Sequence, residues 1–308
     1  MPVQWTRLAE TFRSLGFPAA EGEPMSGHTS FKIGGPADVF VTVPDGEGAA
    51  AVLSRCREAG APVFVMGNGS NLLVGDGGIE GVVLKIETAA PPVLEEGGGI
   101  VCPAGLPVKK LCLFARDQGL SGLEFAFGIP GAVGGGVYMN AGAYGGQLSD
   151  VLTGVTVLTR TGETRELSSA ELRLGYRRSV LMETGDVVVQ ARFCLTPDEQ
   201  EAIAARMEEY LRRRRDKQPL EYPSAGSFFK RPPGHFAGAL IESCGLKGKR
   251  VGGAQISEKH AGFLINAGGA TCADVLELSR QVRETVYERT GVSLEPEVRP
   301  VGRGIAGE

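Results

Sequence analysis

Eight of the twenty residues from Phe127 to Gly146 are glycine, and no charged side chain occurs between Phe125 and Ser149. Few folds can use such a run. Glycine lacks a Cβ, so it lets backbone amides approach a flat or anionic group closely. The window is long enough to cross a bilayer, but eight glycines and Pro130 make a poor lipid-facing helix. A flexible linker fails for another reason. Ile129, Val133, Val137, Tyr138, Met139 and Tyr144 supply branched and aromatic side chains at a density that linkers lack. The reading that remains is a loop that cradles a bound group.

With 308 residues the chain has room for about two domains. Six cysteines (56, 102, 112, 194, 244 and 272) are scattered and never form C-x-x-C, which fits neither a disulfide framework nor a zinc site and points to a reducing cytoplasm. No metal site is expected. Met1 to Arg13 has no apolar core of the kind a secretory leader carries. The net charge of −4 argues against general nucleic-acid binding. Charge is unevenly spread, however: residues 230 to 260 carry +4, leaving −8 for the remainder. A local basic patch on an acidic chain suits a small anionic substrate such as a diphosphate, and a plain solvated surface would look the same.

Ala37 to Val43, Pro62 to Met66 and Val82 to Ile86 read as strands, with an amphipathic helix from about Gly46 to Gly60. Pro107 to Gly119 reads as a helix. Val151 to Arg160 and Glu163 to Leu167 flank Thr161-Gly162 as a hairpin, and Val187 to Leu195 is another strand. Many strands with few helices predict an α+β sheet domain, with a boundary near Thr196. There Thr196 would cap a helix, with Pro197 at its first position, running to about Lys217 and stopped before Pro219. Arg212 to Arg215 fall in its last turns, where cations are ordinarily solvated and favoured by the helix dipole. A second αβ pattern follows: Phe236 to Cys244 helical with Gly245 as cap, Phe263 to Asn266 a strand, and Ala273 to Thr290 a long helix ended by Gly291.

Gly67-Asn68-Gly69-Ser70-Asn71 follows directly on a predicted strand. Small residues and side-chain amides there can bind phosphate through backbone N–H groups, and a surface turn would have the same composition. Neither G-x-G-x-x-G nor G-x-x-x-x-G-K-[ST] occurs, so a dinucleotide would not be held by a Rossmann unit or a Walker loop.

Taken with Gly128-Ile129-Pro130-Gly131 and Asn140-Ala141-Gly142-Ala143-Tyr144-Gly145, this first cluster resembles the UDP-N-acetylenolpyruvoylglucosamine reductases, FAD enzymes of peptidoglycan synthesis. Tyr176-Arg177-x-Ser179, Gly226-Ser227-Phe228-Phe229-Lys230 and Leu294-Glu295-Pro296-Glu297-Val298-Arg299 match the family in the same order. The resemblance spans residues 28 to about 301.

It implies an α+β fold, with a two-subdomain FAD-binding domain of the vanillyl-alcohol oxidase type at residues 1–200. A C-terminal αβ substrate-binding domain would occupy 201–308, its last residues having room to return to the FAD domain. The resemblance places FAD on Gly67, Asn68, Gly69, Ser70, Asn71, Ile129, Pro130, Gly131, Gly134, Gly135, Asn140, Ala141 and Gly142. None of the three histidines (28, 235 and 260) lies in these clusters, so non-covalent FAD is expected. NADPH is implied as the hydride-donating co-substrate and a UDP-sugar as substrate, with no nucleic-acid or membrane partner.

By resemblance Arg177 is the catalytic arginine, a guanidinium able to hold the substrate carboxylate and stabilise developing negative charge. Read without the family it is a solvated arginine in a loop. Ser227 is the implied proton donor. It sits outside any G-x-S-x-G, so it is not a hydrolase nucleophile, and by itself it reads as a turn serine. Glu297 is the implied partner of arginine at the carboxylate, and on its own an ion-pairing glutamate. Tyr144, Lys230, Arg231, Lys259 and His260 would line the path of the UDP-sugar.

One branch of the family inserts a loop after the Tyr-Arg-x-Ser motif that covers the substrate with a tyrosine. Here Val187 to Leu195 runs straight on toward the next helix, so the chain is similar to the shorter, loop-lacking type. The implied activity is NADPH-dependent reduction of the enolpyruvyl ether of UDP-N-acetylglucosamine to UDP-N-acetylmuramate. The alternative is an FAD-dependent oxidase of the same fold acting on an alcohol or sugar.

Overall fold

Side-chain alternation builds the first sheet. In Pro36–Val43 the residues Val39, Val41 and Val43 point inward and are buried. The computed structural model describes residues 3–305, and they divide into two compact units. Residues 3–21, 39–68 and 81–214 form the first; residues 22–38, 69–80 and 215–305 form the second.

A four-stranded sheet runs in the order Ala19–Pro24, Pro36–Val43, Ile79–Ile86, Val63–Met66, the last two parallel. The Gly46–Ala59 helix packs on it through Ala49, Val52 and Cys56. Asp45 caps its start by accepting from the Gly48 amide at 2.9 Å, and Gly60 ends it at φ 65°. An N-terminal helix, Trp5–Ser14, joins the same core through Leu8, Ala9 and Phe12.

A second, antiparallel sheet has the order Thr164–Ser168, Leu152–Leu158, Val187–Cys194, Gly99–Pro103, Val93–Leu94. Its core includes Val155, Val157, Phe193 and Leu111. The hairpin expected at Thr161-Gly162 is present. The helix expected to open at Thr196 starts instead at Gln200 and runs to Lys217. Thr196–Pro197 pairs antiparallel with Leu120–Ser121, and the Asp198 amide donates to the Gly119 carbonyl at 2.9 Å. A strand partner supplied by the fold overrides the local capping signal.

The second unit carries an antiparallel sheet in the order Ser224–Ser227, Phe263–Asn266, Ala254–Ile256, Arg250–Val251. The Cys272–Thr290 helix lies in its core through Val275, Leu278, Val282 and Val286, spaced three or four apart. Thr271 and Asp274 form a capping box, and the Asp76 carboxylate accepts the Cys272 and Ala273 amides at 2.8 and 3.0 Å. Arg299–Val301 pairs in parallel with Leu72–Val74.

Candidate active site

The glycine run folds further than its sequence suggested. Val133–Tyr138 is a short helix, held by Val133 and Gly134 amides that donate to the Leu106 and Ala104 carbonyls at 2.9 and 2.8 Å. Several glycines are required by packing. A Cβ at Gly136 would stand 3.0 Å from the Leu148 Cδ1, one at Gly142 2.6 Å from the Gly146 carbonyl oxygen, and one at Gly146 2.6 Å from the Phe125 ring. Gly135 differs: it is exposed, and a Cβ there would meet nothing within 4 Å. That bare backbone is where a flat group can approach closely, so the residues present fit FAD.

Asn140, expected at the cofactor, is 1% exposed, and its side chain accepts from the Ser149 amide at 2.9 Å and donates to the Gly175 carbonyl at 3.1 Å. Arg177 occupies the corner of a tight turn in which Gly175 and Arg178 exchange backbone hydrogen bonds of 3.0 and 3.2 Å. Its φ is 55°, a conformation uncommon for a side-chain-bearing residue. The guanidinium donates to the Gly142 carbonyl at 3.1 Å and to that of Asn140 at 3.5 Å, and lies 5.0 Å from the Tyr176 ring centre. Arg177 is thereby brought to the second half of the glycine run.

Tyr144, also at positive φ (54°), stacks on Tyr210 with ring centres 4.8 Å apart. Burial raises its phenol pKa against the pull of Arg214 and Arg213. Arg214 was expected in solvent with its neighbours. Arg212 and Arg213 do pair with Glu209 at the surface, but Arg214 is partly buried, with its Cδ 3.0 Å from where a Gly128 Cβ would be. Burial lowers its pKa. The signal was available: Ile203, Met207, Tyr210 and Arg214 share one helical face.

In the second unit, the Ser224–Ser227 strand pairs irregularly with its neighbour. Gly226 sits at φ 82°, and this bulge leaves Ser227 exposed between buried Ala225 and buried Phe228. The Glu297 amide donates to the Phe228 carbonyl at 2.8 Å, and the Lys230 amide to that of Glu295 at 2.8 Å. Ser227 and Glu297 therefore lie on adjoining, main-chain-locked segments. The Asn71 side chain adds a third tie, donating to the Glu297 carbonyl at 3.1 Å, while the Arg299 amide donates to the Asn71 carbonyl at 3.0 Å.

The basic candidates are engaged locally. Lys230 pairs with Glu295, Arg231 stacks on Phe236 at 4.0 Å, and the Lys259 ammonium donates to the Arg215 carbonyl at 2.7 Å. His260 accepts the Gly262 amide at Nδ1 (3.1 Å), and burial holds its pKa below the ordinary range. Among the described residues there is no cluster suited to a metal ion and no helix long and apolar enough to cross a membrane.

Two family descriptions match the sequence: "FAD binding domain" over residues 37–168, and "UDP-N-acetylenolpyruvoylglucosamine reductase, C-terminal domain" over 218–301. A UDP-N-acetylenolpyruvoylglucosamine reductase of Lachnoclostridium phytofermentans is 50% identical, covering 92% of this chain and 93% of its own length. One of Listeria monocytogenes serotype 4a is 49% identical over 91% of this chain and 94% of its own. The crystal structure of the Thermus caldophilus reductase superposes with a TM-score of 0.78 at 38% identity, covering 92% of this chain and 98% of that one. The expected α+β architecture, an FAD-binding domain followed by a C-terminal domain, is borne out by these matches.

Proposed function

Because this chain belongs to the UDP-N-acetylenolpyruvoylglucosamine reductase family, we propose that it reduces the enolpyruvyl ether of UDP-N-acetylglucosamine to UDP-N-acetylmuramate. The reaction is a cytoplasmic step of peptidoglycan precursor synthesis with NADPH as the electron source. FAD would be held non-covalently by residues 67–71 together with Ile129, Pro130, Gly131, Gly134, Gly135, Ala141 and Gly142, and when bound it would supply the hydride for reduction of the alkene. The chain's own residues handle charge and proton. Arg177 holds the substrate carboxylate and stabilises the negative charge that accumulates as the adjacent carbon becomes an enolate. Glu297 orders the carboxylate end together with arginine. Ser227 gives its hydroxyl proton to the enolate carbon and regains one from solvent. An alcohol is a weak acid, and it serves here because an enolate carbon is strongly basic.

The observation that carries this reading is the exposure of Ser227 at the Gly226 bulge, on a strand whose next carbonyl is bonded to the Glu297 amide. The test is anaerobic. Purified protein is mixed with NADPH and then with the enolpyruvyl substrate while flavin absorbance is followed. Bleaching by NADPH and recovery on substrate is the expected sequence. A colourless protein that cannot bind FAD overturns the proposal, and rapid oxygen uptake with a simple alcohol replaces it with an oxidase.

A further inference from the structure

We infer that Asn140 is a positioning residue for Arg177, its buried amide fixing the turn from which the guanidinium projects. The inference rests on the proposed role of Arg177 and deepens it. Both faces of the amide have main-chain partners that leave no choice of orientation. Oδ1 accepts the Ser149 N–H at 2.9 Å, and Nδ2 donates to the Gly175 carbonyl at 3.1 Å. Further donor contacts reach the Gln147 Oε1 at 3.3 Å and the Ser149 hydroxyl at 3.2 Å. Gly175 opens the turn that carries Tyr176 and Arg177 at its corners and closes on Arg178. The link is reciprocal, because the Arg177 guanidinium donates back to the Asn140 carbonyl.

A second tie lies one residue beyond the turn. The fully buried Ser179 donates its hydroxyl to the Tyr138 carbonyl at 2.7 Å. The turn is thus pinned on both sides to the segment 138–140. Asparagine suits the position for two reasons. It tolerates the φ of 42° found there, and its short side chain offers both a donor and an acceptor at neutral pH. The amide faces main chain on both sides, so its contribution to the reaction runs through Arg177.

Two substitutions test this in the full-length, FAD-loaded enzyme. Asn140→Asp keeps the shape and the acceptor, but sets a buried carboxylate oxygen against the Gly175 carbonyl. Asn140→Gly accepts the positive φ without strain and deletes the amide, so it serves where the buried charge prevents folding. Both should slow oxidation of reduced flavin by the enolpyruvyl substrate about 10²-fold, the scale of a misplaced catalytic group, with FAD affinity and reduction by NADPH within about twofold of wild type. In the cofactor-free protein, exchange of the Gly175 and Arg178 amide hydrogens should accelerate in both. The Asn140→Asp deficit should shrink as pH falls, since a protonated carboxyl can donate to the Gly175 carbonyl again.

Equal losses in both half-reactions, or a loss of FAD affinity by the same factor, would make Asn140 a cofactor or structural residue and overturn the inference. So would two variants at wild-type rates. Arg177→Ala separates the layers. If it slows the substrate half-reaction and the Asn140 variants do not, the positioning role alone fails. If it leaves that half-reaction intact, the role proposed for Arg177 fails, and this one with it.

Discussion

Ser227 owes its presentation to the residue before it. A strand alternates its faces, and the bulge at Gly226 breaks that alternation so that Ser227 faces out while Phe228 and Phe229 both remain buried. The flanking phenylalanines pack edge to face at 5.1 Å, which stiffens the strand beside the hydroxyl. Ser227→Ala removes one exposed oxygen and should leave stability, FAD binding and reduction by NADPH near wild type. Reoxidation by the enolpyruvyl substrate should slow by about 10²-fold or more, since no proton donor remains at that point. Stopped-flow absorbance of each half-reaction measures both. Loss of both together would make the serine structural, and loss of neither would assign the proton to another group. Lys230 calls for a subtler test because its ammonium already has Glu295 as a partner. If it also meets the diphosphate, Lys230→Ala should raise substrate KM more than it lowers the rate of flavin reduction. An unchanged KM would leave the lysine as half of a surface pair worth little.

Elements are held in place by polar contacts as much as by cores. Glu124, 7% exposed, accepts from the Arg206 guanidinium at 2.8 Å, the Gly122 amide at 2.8 Å and the Ser121 hydroxyl at 2.8 Å, so the Gln200–Lys217 helix is tied to the turn before the glycine run. Burial alone would raise its pKa; the guanidinium and the other donors outweigh burial and lower it. A carboxylate with a depressed folded pKa stabilises above its unfolded pKa, and that stability disappears as pH falls through the folded value. Glu124→Gln should therefore destabilise the protein by roughly 1.5–3 kcal/mol near neutrality. The gap from wild type should close as acid protonates Glu124, which unfolding curves at a series of pH values would show. An undiminished gap at low pH would mean that packing, not charge, was lost.

The same region shows what the sequence could reveal. Strands with buried alternation and helices with paired caps, such as Gly46–Ala59 and Cys272–Thr290, were legible because the signal is local. The start of the Gln200–Lys217 helix was not, because a strand partner 75 residues back (Thr196 with Ser121) redirects the chain. Arg214 was read by its neighbours' charge rather than by its helical face. The hydrogen-bond partners of Asn140 and Asn71 were hidden for a related reason: a side-chain amide names no partner until the fold supplies one.

For the whole molecule, the motif Gly67–Asn71 and the glycine run enter one chemical question: how much of the chain's stability depends on FAD. A ligand that binds only the folded protein stabilises it by about 2.7 kcal/mol at a concentration of 100 Kd. At roughly 2–4 °C per kcal/mol for chains of this general size, stripping FAD should lower the Tm by about 5–10 °C. Two glycine variants show whether the run is the seat of that linkage. Gly142→Ala forces a Cβ to 2.6 Å from a backbone oxygen, so its Tm should fall with or without FAD. Gly135→Ala meets open space and sits inside the Val133–Tyr138 helix, where alanine is favoured by up to about 1 kcal/mol. Its FAD-free Tm should hold or rise, while the increment on adding FAD shrinks and the Kd for FAD weakens. Scanning calorimetry of the stripped and reloaded proteins separates the two behaviours. If Gly135→Ala keeps the full FAD increment, the open backbone at Gly135 is not where the flavin lies, and the glycines of this run are there to pack against their own chain.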